Sequence, residues 1–426
     1  MRQAVEEKLK SFFEYRNSIS DRIVKANDDQ DQSRIYLELS DREEQVCRDL
    51  VDIALRNPKT EAAKQALIWV VNKPGKGIGG NYGGEFDRAA GLLVRNQGDD
   101  AEVAGVCMWM NNLLGFSRDS FLYGMAAAAK SRETKGLTQY ALAQYLSKKA
   151  QYAAGAQKTP GRLKVGRKIK GENGKIEIQT IDAGDERNAY SESLRAIDSE
   201  ALKRKAESIY EDIIRDYSDI PGKSILLWEI TRWLEFDPPM REGTPLKPDE
   251  VEQIRKILAR PVPTLGELAK QRLDEMNNLA IGKTAPEIDA EGVDGKRFKL
   301  SDYRDKIVVL IFWGTWCGPC MAEVPHDREM AEKYKDKPVA LLGVDCDEDR
   351  AKALEVMKKE GITWSNWYDG EPGEGPIAKA YHIRAYPTVM VIDAEGKIRL
   401  RNGRGKSLEE FVDKLLAEMK ASKAAN

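Results

Sequence analysis

The sequence lacks several features that would assign a protein to a special class. It has no apolar run near the roughly 18 residues that a membrane span needs, and its 68 basic residues nearly balance its 70 acidic ones. This balance gives no reason to expect nucleic acid or an anionic membrane as a partner. With 426 residues, the chain is therefore expected to be a soluble protein of two or three globular domains.

The first residues, Met1 to Glu7, also lack the apolar core of a secretory signal. Because such a signal is removed on export, a chain without one is compatible with an exported protein in its mature form. It is equally compatible with a cytoplasmic protein. The start of the sequence therefore leaves the location open.

Cysteine is scarce, and three of the five cysteines stand alone, namely Cys47, Cys107 and Cys346. Their odd number and wide spacing argue against a structural disulfide framework and indicate buried thiols that pack in a core. Cys346 lies between Asp345 and Asp347. Because negative neighbours disfavour a thiolate, we expect a raised pKa and an unreactive Cys346 thiol.

The other two cysteines, Cys317 and Cys320, enclose a Gly-Pro pair directly after the apolar run from Ile307 to Phe312. This pattern predicts a dithiol at the end of a buried strand, a position typical of thiol redox chemistry. A structural zinc site would need a second pair of ligands. The only histidines, His326 and His382, lack ligand spacing, so no metal is expected.

Residues 1 to about 155 are rich in strong helix formers and carry apolar residues at helical spacing. Polar breaks at 56–60, 95–100 and 130–134 each precede a new helical pattern, and their starts are 39 and 35 residues apart (56 to 95, 95 to 130). Such offsets suit stacked, tetratricopeptide-like helical hairpins. The segment from Ala206 to Tyr217 has the same character.

Two stretches interrupt the helical pattern. From about 160 to 185, apolar and polar residues alternate on both sides of a Gly-Glu-Asn-Gly turn, which predicts an inserted β-hairpin. The glycine-rich stretch 73–84 contains a Gly-x-Gly-x-x-Gly match. It lacks the strand that a dinucleotide site requires before the glycines, so we interpret it as a loop between helices.

Six prolines at about 237–263 indicate a connector, which a last helix from Thr264 to Leu279 follows. The composition then changes, and we place a domain boundary near residue 281. The predicted organisation is a helical domain at 1–280, a second domain at 281–420 and a flexible tail at 421–426.

In the second domain, strand-like and helix-like segments alternate and end in a hairpin, which predicts an α/β fold with a mixed central sheet. Residues 281–420 resemble the TlpA/ResA-like, thioredoxin-fold thiol-disulfide oxidoreductases of the bacterial envelope. The resemblance is carried by five motifs: Gly282-x-x-Ala285-Pro286, Lys299-Leu300-Ser301-Asp302-Tyr303, Trp316-Cys317-Gly318-Pro319-Cys320, Glu323-Val324-Pro325 and Tyr386-Pro387-Thr388.

The residues of the dithiol motif already suggest a division of labour. Cys317 is expected at the amino end of a helix, where unpaired amides and the helix dipole favour a thiolate, so it is the predicted nucleophile. Cys320, one turn further on, is expected to be shielded and to resolve the mixed disulfide. Gly318 and Pro319 are expected to keep the first turn tight, and Trp316 to support the substrate.

The resemblance adds further expectations. It implies that Pro387 is a cis-proline facing the dithiol and that Tyr386 offers backbone groups to an extended substrate. Ile311 occupies the place where thioredoxins keep a buried aspartate. Glu323 matches a glutamate of the envelope members, and its i, i+3 spacing from Cys320 makes it the predicted acid/base partner of that cysteine.

The expected activity is therefore reduction of protein disulfides by a Cys317–Cys320 couple, with no cofactor, an upstream thiol as electron donor and a location in the periplasm or cell envelope. The helical half is a candidate site for a protein partner. Two alternatives stay open. A thiol peroxidase is disfavoured because its threonine and arginine pattern around a lone cysteine is absent. A helical-repeat interaction protein with a passenger redoxin domain is disfavoured because both cysteines, Glu323 and Pro387 are retained.

Overall fold

The computed structural model describes residues 1–25, 29–73, 84–110, 115–158, 161, 164–170, 176–182, 185–222, 255 and 261–425. The chain forms two compact units, Met1–Lys270 and Gln271–Asn426. Within the described ranges, no helix combines the length and the apolar character needed to cross a bilayer.

The first unit is helical, which confirms that part of the predicted fold class. Its helices are α1 (Arg2–Lys25), α2 (Asp29–Arg56), α3 (Glu61–Val71), α4 (Glu85–Gln97), α5 (Ala101–Met110), α6 (Phe116–Ala128), α7 (Arg132–Lys158), α8 (Asp185–Arg195) and α9 (Ser199–Asp216). Neighbours along the chain pack together from α1 to α4, and α7 packs against α5, α6, α8 and α9. The tetratricopeptide-like character of this packing stays a prediction.

The three helical restarts seen in the sequence each begin with a capping side chain. Thr60 caps α3, Asp100 caps α5 and Ser131 caps α7, each by accepting the backbone N–H three residues on, at 3.3, 3.1 and 3.2 Å. Such bonds satisfy amides that the first helical turn leaves unpaired. The polar breaks therefore mark real helix starts.

The predicted β-hairpin is present as β1 (Lys164–Lys170) and β2 (Ile176–Asp182), which pair antiparallel with Lys164 opposite Asp182. Its turn lies outside the described residues. The same holds for the interior of the glycine-rich stretch 73–84 and for most of the predicted connector at 237–263.

Helix α10 (Leu265–Asn278) begins in the first unit and ends in the second. The domain boundary placed near residue 281 therefore stays a prediction. The second unit also contains a 3-10 helix (Leu300–Tyr303), α11 (Gly318–Tyr334), α12 (Arg350–Glu360), α13 (Pro376–Ala380) and α14 (Gly405–Ala425). The segment predicted as a flexible tail at 421–426 is thus helical as far as Ala425.

A five-stranded sheet forms the centre of the second unit, in the order β7-β6-β5-β8-β9. Strands β5, β6 and β7 are parallel, whereas β8 and β9 are antiparallel to their neighbours, so the mixed sheet is confirmed. The strands are β5 (Ile307–Trp313), β6 (Val339–Asp345), β7 (Asn366–Tyr368), β8 (Thr388–Ile392) and β9 (Ile398–Arg401), and a separate pair is formed by β3 (Asp289–Glu291) and β4 (Arg297–Lys299).

Every residue of β5 is buried, because the strand has a hydrophobic core on each side. Val308, Leu310 and Phe312 belong to one core, whereas Ile311 and Trp313 belong to the other, which also contains residues of α11 and α14. Alternation of side chains along a strand explains the division. A strand in this central position therefore requires a continuous apolar run. The dithiol motif follows directly after the end of β5.

Candidate active site

The dithiol lies where β5 passes into α11. Cys317 is the N-cap residue of α11, and its Sγ accepts the backbone N–H of Cys320 at 3.2 Å. The two cysteines are joined by a disulfide. Cys317 is 5% exposed and Cys320 is 4% exposed, so burial alone does not distinguish the nucleophile from the resolving thiol. The N-cap position and the amide bond both favour negative charge on Cys317.

Gly318 and Pro319 are exposed in the first turn of α11. Pro319 is compatible with this turn because the first helical amides have no partner within the helix. A glycine that sequence reasoning missed is Gly314, where an added Cβ would lie 2.5 Å from the Trp316 ring nitrogen. The turn before the dithiol therefore needs Gly314 to leave room for the indole.

Trp316 is held beside the disulfide with 48% of its surface exposed. Its Nε1–H donates to the backbone carbonyl of Cys346 at 3.1 Å, and its ring meets that of Tyr386 edge-on at 5.1 Å. The Tyr386 hydroxyl accepts the backbone N–H of Gly373 at 2.9 Å. These contacts fix an exposed aromatic surface next to the sulfurs.

The loop before the dithiol is anchored by a carboxylate that lies just after the next strand, β6. Thr315 donates to Asp347 through both its backbone N–H (2.8 Å) and its hydroxyl (2.6 Å). Sequence reasoning considered Asp347 only as a neighbour of Cys346. The parallel pairing of Trp313 with Asp345 explains the contact, because it places the ends of β5 and β6 side by side.

The peptide bond between Tyr386 and Pro387 is cis, as the resemblance implies. Pro387 lines a small cavity of about 20 Å³ that Cys320 also lines. That volume accommodates about one water molecule. Other residues that line the cavity are Ile311, Glu323, Asp327 and Arg404.

Asp327 is a cavity residue that sequence reasoning missed. It is 8% exposed, and burial raises its pKa to about 6, with the charge of Glu323 adding to the rise. His326 and Arg404 act in the opposite direction, since positive charge favours the carboxylate. The spacing of four residues from Glu323 was the available signal, because it puts both carboxyl groups on one helix face.

A second group of buried acidic residues, Asp345 and Asp347, lies on both sides of Cys346 at the end of β6. Burial, followed by the influence of Asp347, raises the pKa of Asp345 to about 8. Burial also raises the pKa of the Cys346 thiol to about 12, with further contributions from Asp369, Asp345 and Asp347. The expected direction for Cys346 is thus confirmed, but desolvation is the main cause and the acidic neighbours are secondary.

Each histidine pairs with a carboxylate. His326 Nε2 lies 2.8 Å from Glu409 Oε1, and His382 Nε2 lies 2.6 Å from Asp274 Oδ2. Among the residues described, no group of three or more His, Cys, Asp and Glu side chains is arranged to hold a metal ion.

A mixed sheet, a dithiol at a helix N-cap and a cis-proline beside it define a thioredoxin-like protein. The profile of the AhpC/TSA family matches residues 281–401. Thiol-disulfide oxidoreductase ResA of Bacillus thuringiensis subsp. konkukian is 33% identical over 141 residues, which are 33% of this chain and 79% of the relative. ResA of Bacillus subtilis is 32% identical over 121 residues, 28% of this chain and 66% of that relative.

The chain therefore belongs to the family of ResA-like thiol-disulfide oxidoreductases. Similar solved structures include the thioredoxin domain of a thiol-disulfide oxidoreductase from Bacteroides vulgatus, with 27% identity, a TM-score of 0.31, and coverage of 33% of this chain and 99% of that one. A putative thiol:disulfide interchange protein DsbE from Chlorobium tepidum has 28% identity and a TM-score of 0.30, with coverage of 33% and 97%. The match to the ResA oxidoreductases confirms the predicted enzyme class.

Proposed function

We propose that this oxidoreductase reduces protein disulfides through a mixed disulfide on Cys317. The Cys317 thiolate attacks one sulfur of the substrate disulfide, and the other substrate sulfur leaves with the bonding electron pair and takes up a proton. The observation that supports this proposal most directly is the N-cap position of Cys317, whose Sγ accepts an amide hydrogen bond. Such an environment stabilises the thiolate both as attacking group and as leaving group.

Cys320 completes the reaction. Its thiol loses a proton, its sulfur attacks Cys317, and the bond between Cys317 and the substrate breaks with the electron pair on the substrate. The substrate gains two electrons and two protons, and the chain is left as the Cys317–Cys320 disulfide, which an upstream thiol donor reduces again. No further cofactor is needed for this exchange.

Glu323 is proposed as the acid/base partner of Cys320. It is partly buried, lies one turn from Cys320 on α11 and lines the same cavity. A carboxylate in that place is able to take the thiol proton directly or through one water molecule. Ile311 supplies an apolar side chain to the cavity from β5, so the carboxyl groups come from α11.

Trp316, Tyr386 and Pro387 are proposed to bind the substrate segment. The exposed Trp316 ring offers an apolar platform, and Tyr386 and Pro387 are beside it at the start of β8. An extended peptide is expected to pair with backbone groups at Tyr386 while its side chains contact the Trp316 ring. The helical unit is proposed to bind or position a protein partner.

The cell envelope is the proposed location, on the strength of the family resemblance. Fractionation of the native organism, with the chain detected by antibody, is expected to place it outside the cytoplasm. Recovery with cytoplasmic markers alone would reject that location without affecting the proposed chemistry.

Reduction of insulin disulfides by the full-length chain tests the activity. The wild type is expected to be active, Cys317→Ser to be inactive, and Cys320→Ser to accumulate mixed disulfides that reducing agent releases. Cys346→Ala is the matched control, since the buried Cys346 thiol is not part of the exchange. Equal activity of Cys317→Ser and wild type, or rapid consumption of hydrogen peroxide with no insulin reduction, would reject the proposal.

Glu323→Gln tests the acid/base role. Loss of a positioned base commonly costs a factor of about 100 or more, so we expect turnover at least about tenfold slower with the fold retained. Glu329→Gln, an exposed change on the same helix, is the control. A Glu323→Gln rate equal to that of the control would remove Glu323 from the mechanism.

A further inference from the structure

One face of α11 carries three groups that are able to exchange protons. Cys320, Glu323 and Asp327 follow at intervals of three and four residues, so they lie on the same face of the helix. All three line the cavity of about 20 Å³ behind the disulfide. The proposed mechanism assigns chemical roles to Cys320 and Glu323 but none to the buried Asp327.

Asp327 also lies next to a polar path that leads to the surface. Its Oδ1 is 4.0 Å from His326 Nδ1, a nitrogen that makes no hydrogen bond within the part of the chain described. The other ring nitrogen, Nε2, lies 2.8 Å from Glu409 Oε1. Glu409 Oε2 in turn accepts a hydrogen bond from Lys333 Nζ at 2.8 Å, and both side chains are partly exposed.

We propose that Asp327 is a proton carrier. Together with Glu323 it receives the Cys320 proton through the cavity, and it passes that proton toward His326. The inference rests on the proposed function. When the Cys320 sulfur attacks the mixed disulfide, its proton enters the cavity, where there is room for about one bridging water molecule. The electron pair of the broken bond leaves on the substrate sulfur, and the cavity proton continues to solvent.

The charges that face Asp327 support this assignment. Helix α11 contributes Glu323 and His326, and the segment before α14 contributes Arg404, whose guanidinium donates to the backbone carbonyl of Pro387. The other cavity residues, on β5, on β8, at 362–364 and at the start of α14, are uncharged. The pKa of Asp327 is about 6 in this setting, and a proton carrier is most useful when its pKa lies near the working pH.

A purely structural Asp327 would behave differently. A side chain that only fills space would affect attack and resolution alike, or neither, and its replacement would not alter how resolution depends on pH. The two steps therefore need to be measured separately.

A small aromatic disulfide, 5,5′-dithiobis(2-nitrobenzoic acid), separates them. Reduced full-length chain releases one coloured thiolate when Cys317 attacks and a second when Cys320 resolves the mixed disulfide. Rapid mixing between pH 5 and pH 8.5 gives both rates. We expect Asp327→Asn to slow the second release about tenfold at pH 7 and to remove its inflection near pH 6, while the first release stays at the wild-type rate.

Two more variants complete the test. Glu329→Gln is the matched control and is expected to follow wild type in both releases. His326→Gln changes a residue whose side chain is mostly buried and leaves the Asp327 carboxyl in place, and we expect it to slow the second release about threefold. A wild-type profile for Asp327→Asn would overturn the proposal, as would a wild-type profile for His326→Gln if Asp327→Asn does not fold. A wild type that never releases the second thiolate would instead reject the proposed function.

Discussion

Replacing Asp327 with asparagine is expected to change the stability of the oxidised chain in a pH-dependent way, whether or not Asp327 carries protons during turnover. The pKa of this carboxyl is raised from 3.8 to about 6 by folding. Between these values the folded state binds more protons than the unfolded state, so stability falls as the pH rises through the window. Above pH 6 the full cost of the buried charge is present. Asparagine cannot ionise and escapes this cost.

The size of the effect follows from the two pKa values. The rise in pKa destabilises the folded wild type by about 3 kcal/mol at pH 7.5. At pH 4.5 the cost is about 1 kcal/mol, because the folded carboxyl is still protonated whereas the unfolded one is mostly ionised. The buried amide of the variant adds a packing and hydrogen-bonding term that does not depend on pH. We therefore expect the stability of Asp327→Asn relative to wild type to increase by about 2 kcal/mol from pH 4.5 to pH 7.5.

Urea unfolding of the full-length oxidised chain at the two pH values measures this difference. The transition of the second unit is the one that moves when the Cys317–Cys320 disulfide is reduced, because a crosslink restricts only the unfolded ensemble of the unit that contains it. Glu329→Gln serves as the control and should show no such pH dependence. A relative stability that is equal at both pH values, or greater at pH 4.5, would refute the electrostatic account of the cavity.

Two further predictions concern buried positions near the site. Gly343→Ala should destabilise the chain by about 2–4 kcal/mol, because an added Cβ would lie 1.6 Å from the Asn366 side-chain oxygen that accepts the Trp313 indole N–H. Gly155→Ala, where no atom lies within 4 Å of the added Cβ, is the control for urea unfolding and should be neutral or stabilising by up to about 1 kcal/mol. Asp345→Asn should gain stability relative to wild type as the pH rises from about 4 to about 8, since the raised pKa makes the wild type bind extra protons when folded. A pH-independent difference in thermal unfolding would contradict this last prediction.

Local sequence was enough to find the dithiol and its surroundings on α11. A continuous apolar run predicts a strand buried on both faces, and the cysteine pair directly after it is local as well. Glu323 could be singled out from the sequence because it lies three residues after Cys320. Helix α12 begins at Arg350 for an equally local reason, because Asp349 is its N-cap and accepts the backbone N–H groups of Ala351 and Lys352 at 2.9 and 3.2 Å.

Other features depend on segments far apart in the sequence. Helical spacing places Asp327 on the face of Glu323, but its burial requires Arg404 and α14, which come about 80 residues later. The bond between Thr315 and Asp347 spans 32 residues and exists because β5 and β6 pair in parallel. Nothing in either local stretch distinguishes such a carboxylate from one on a solvated surface.

Two buried carboxylates lie near the dithiol, Asp347 against the loop before it and Asp327 at the cavity. Their surroundings differ, and this difference suggests different roles. Asp347 accepts two hydrogen bonds from Thr315, one at each carboxylate oxygen, so replacing one oxygen by an amide nitrogen would break one of the two bonds that hold the loop before Cys317. The Asp327 carboxyl lies 4.0 Å from His326 Nδ1, beyond hydrogen-bonding distance, and lines a cavity with room for about one water molecule. Its protonation is thus able to change without breaking the contacts that hold the site. Proton exchange is therefore expected at Asp327 and anchoring at Asp347, where even an isosteric asparagine should disturb the dithiol at every pH.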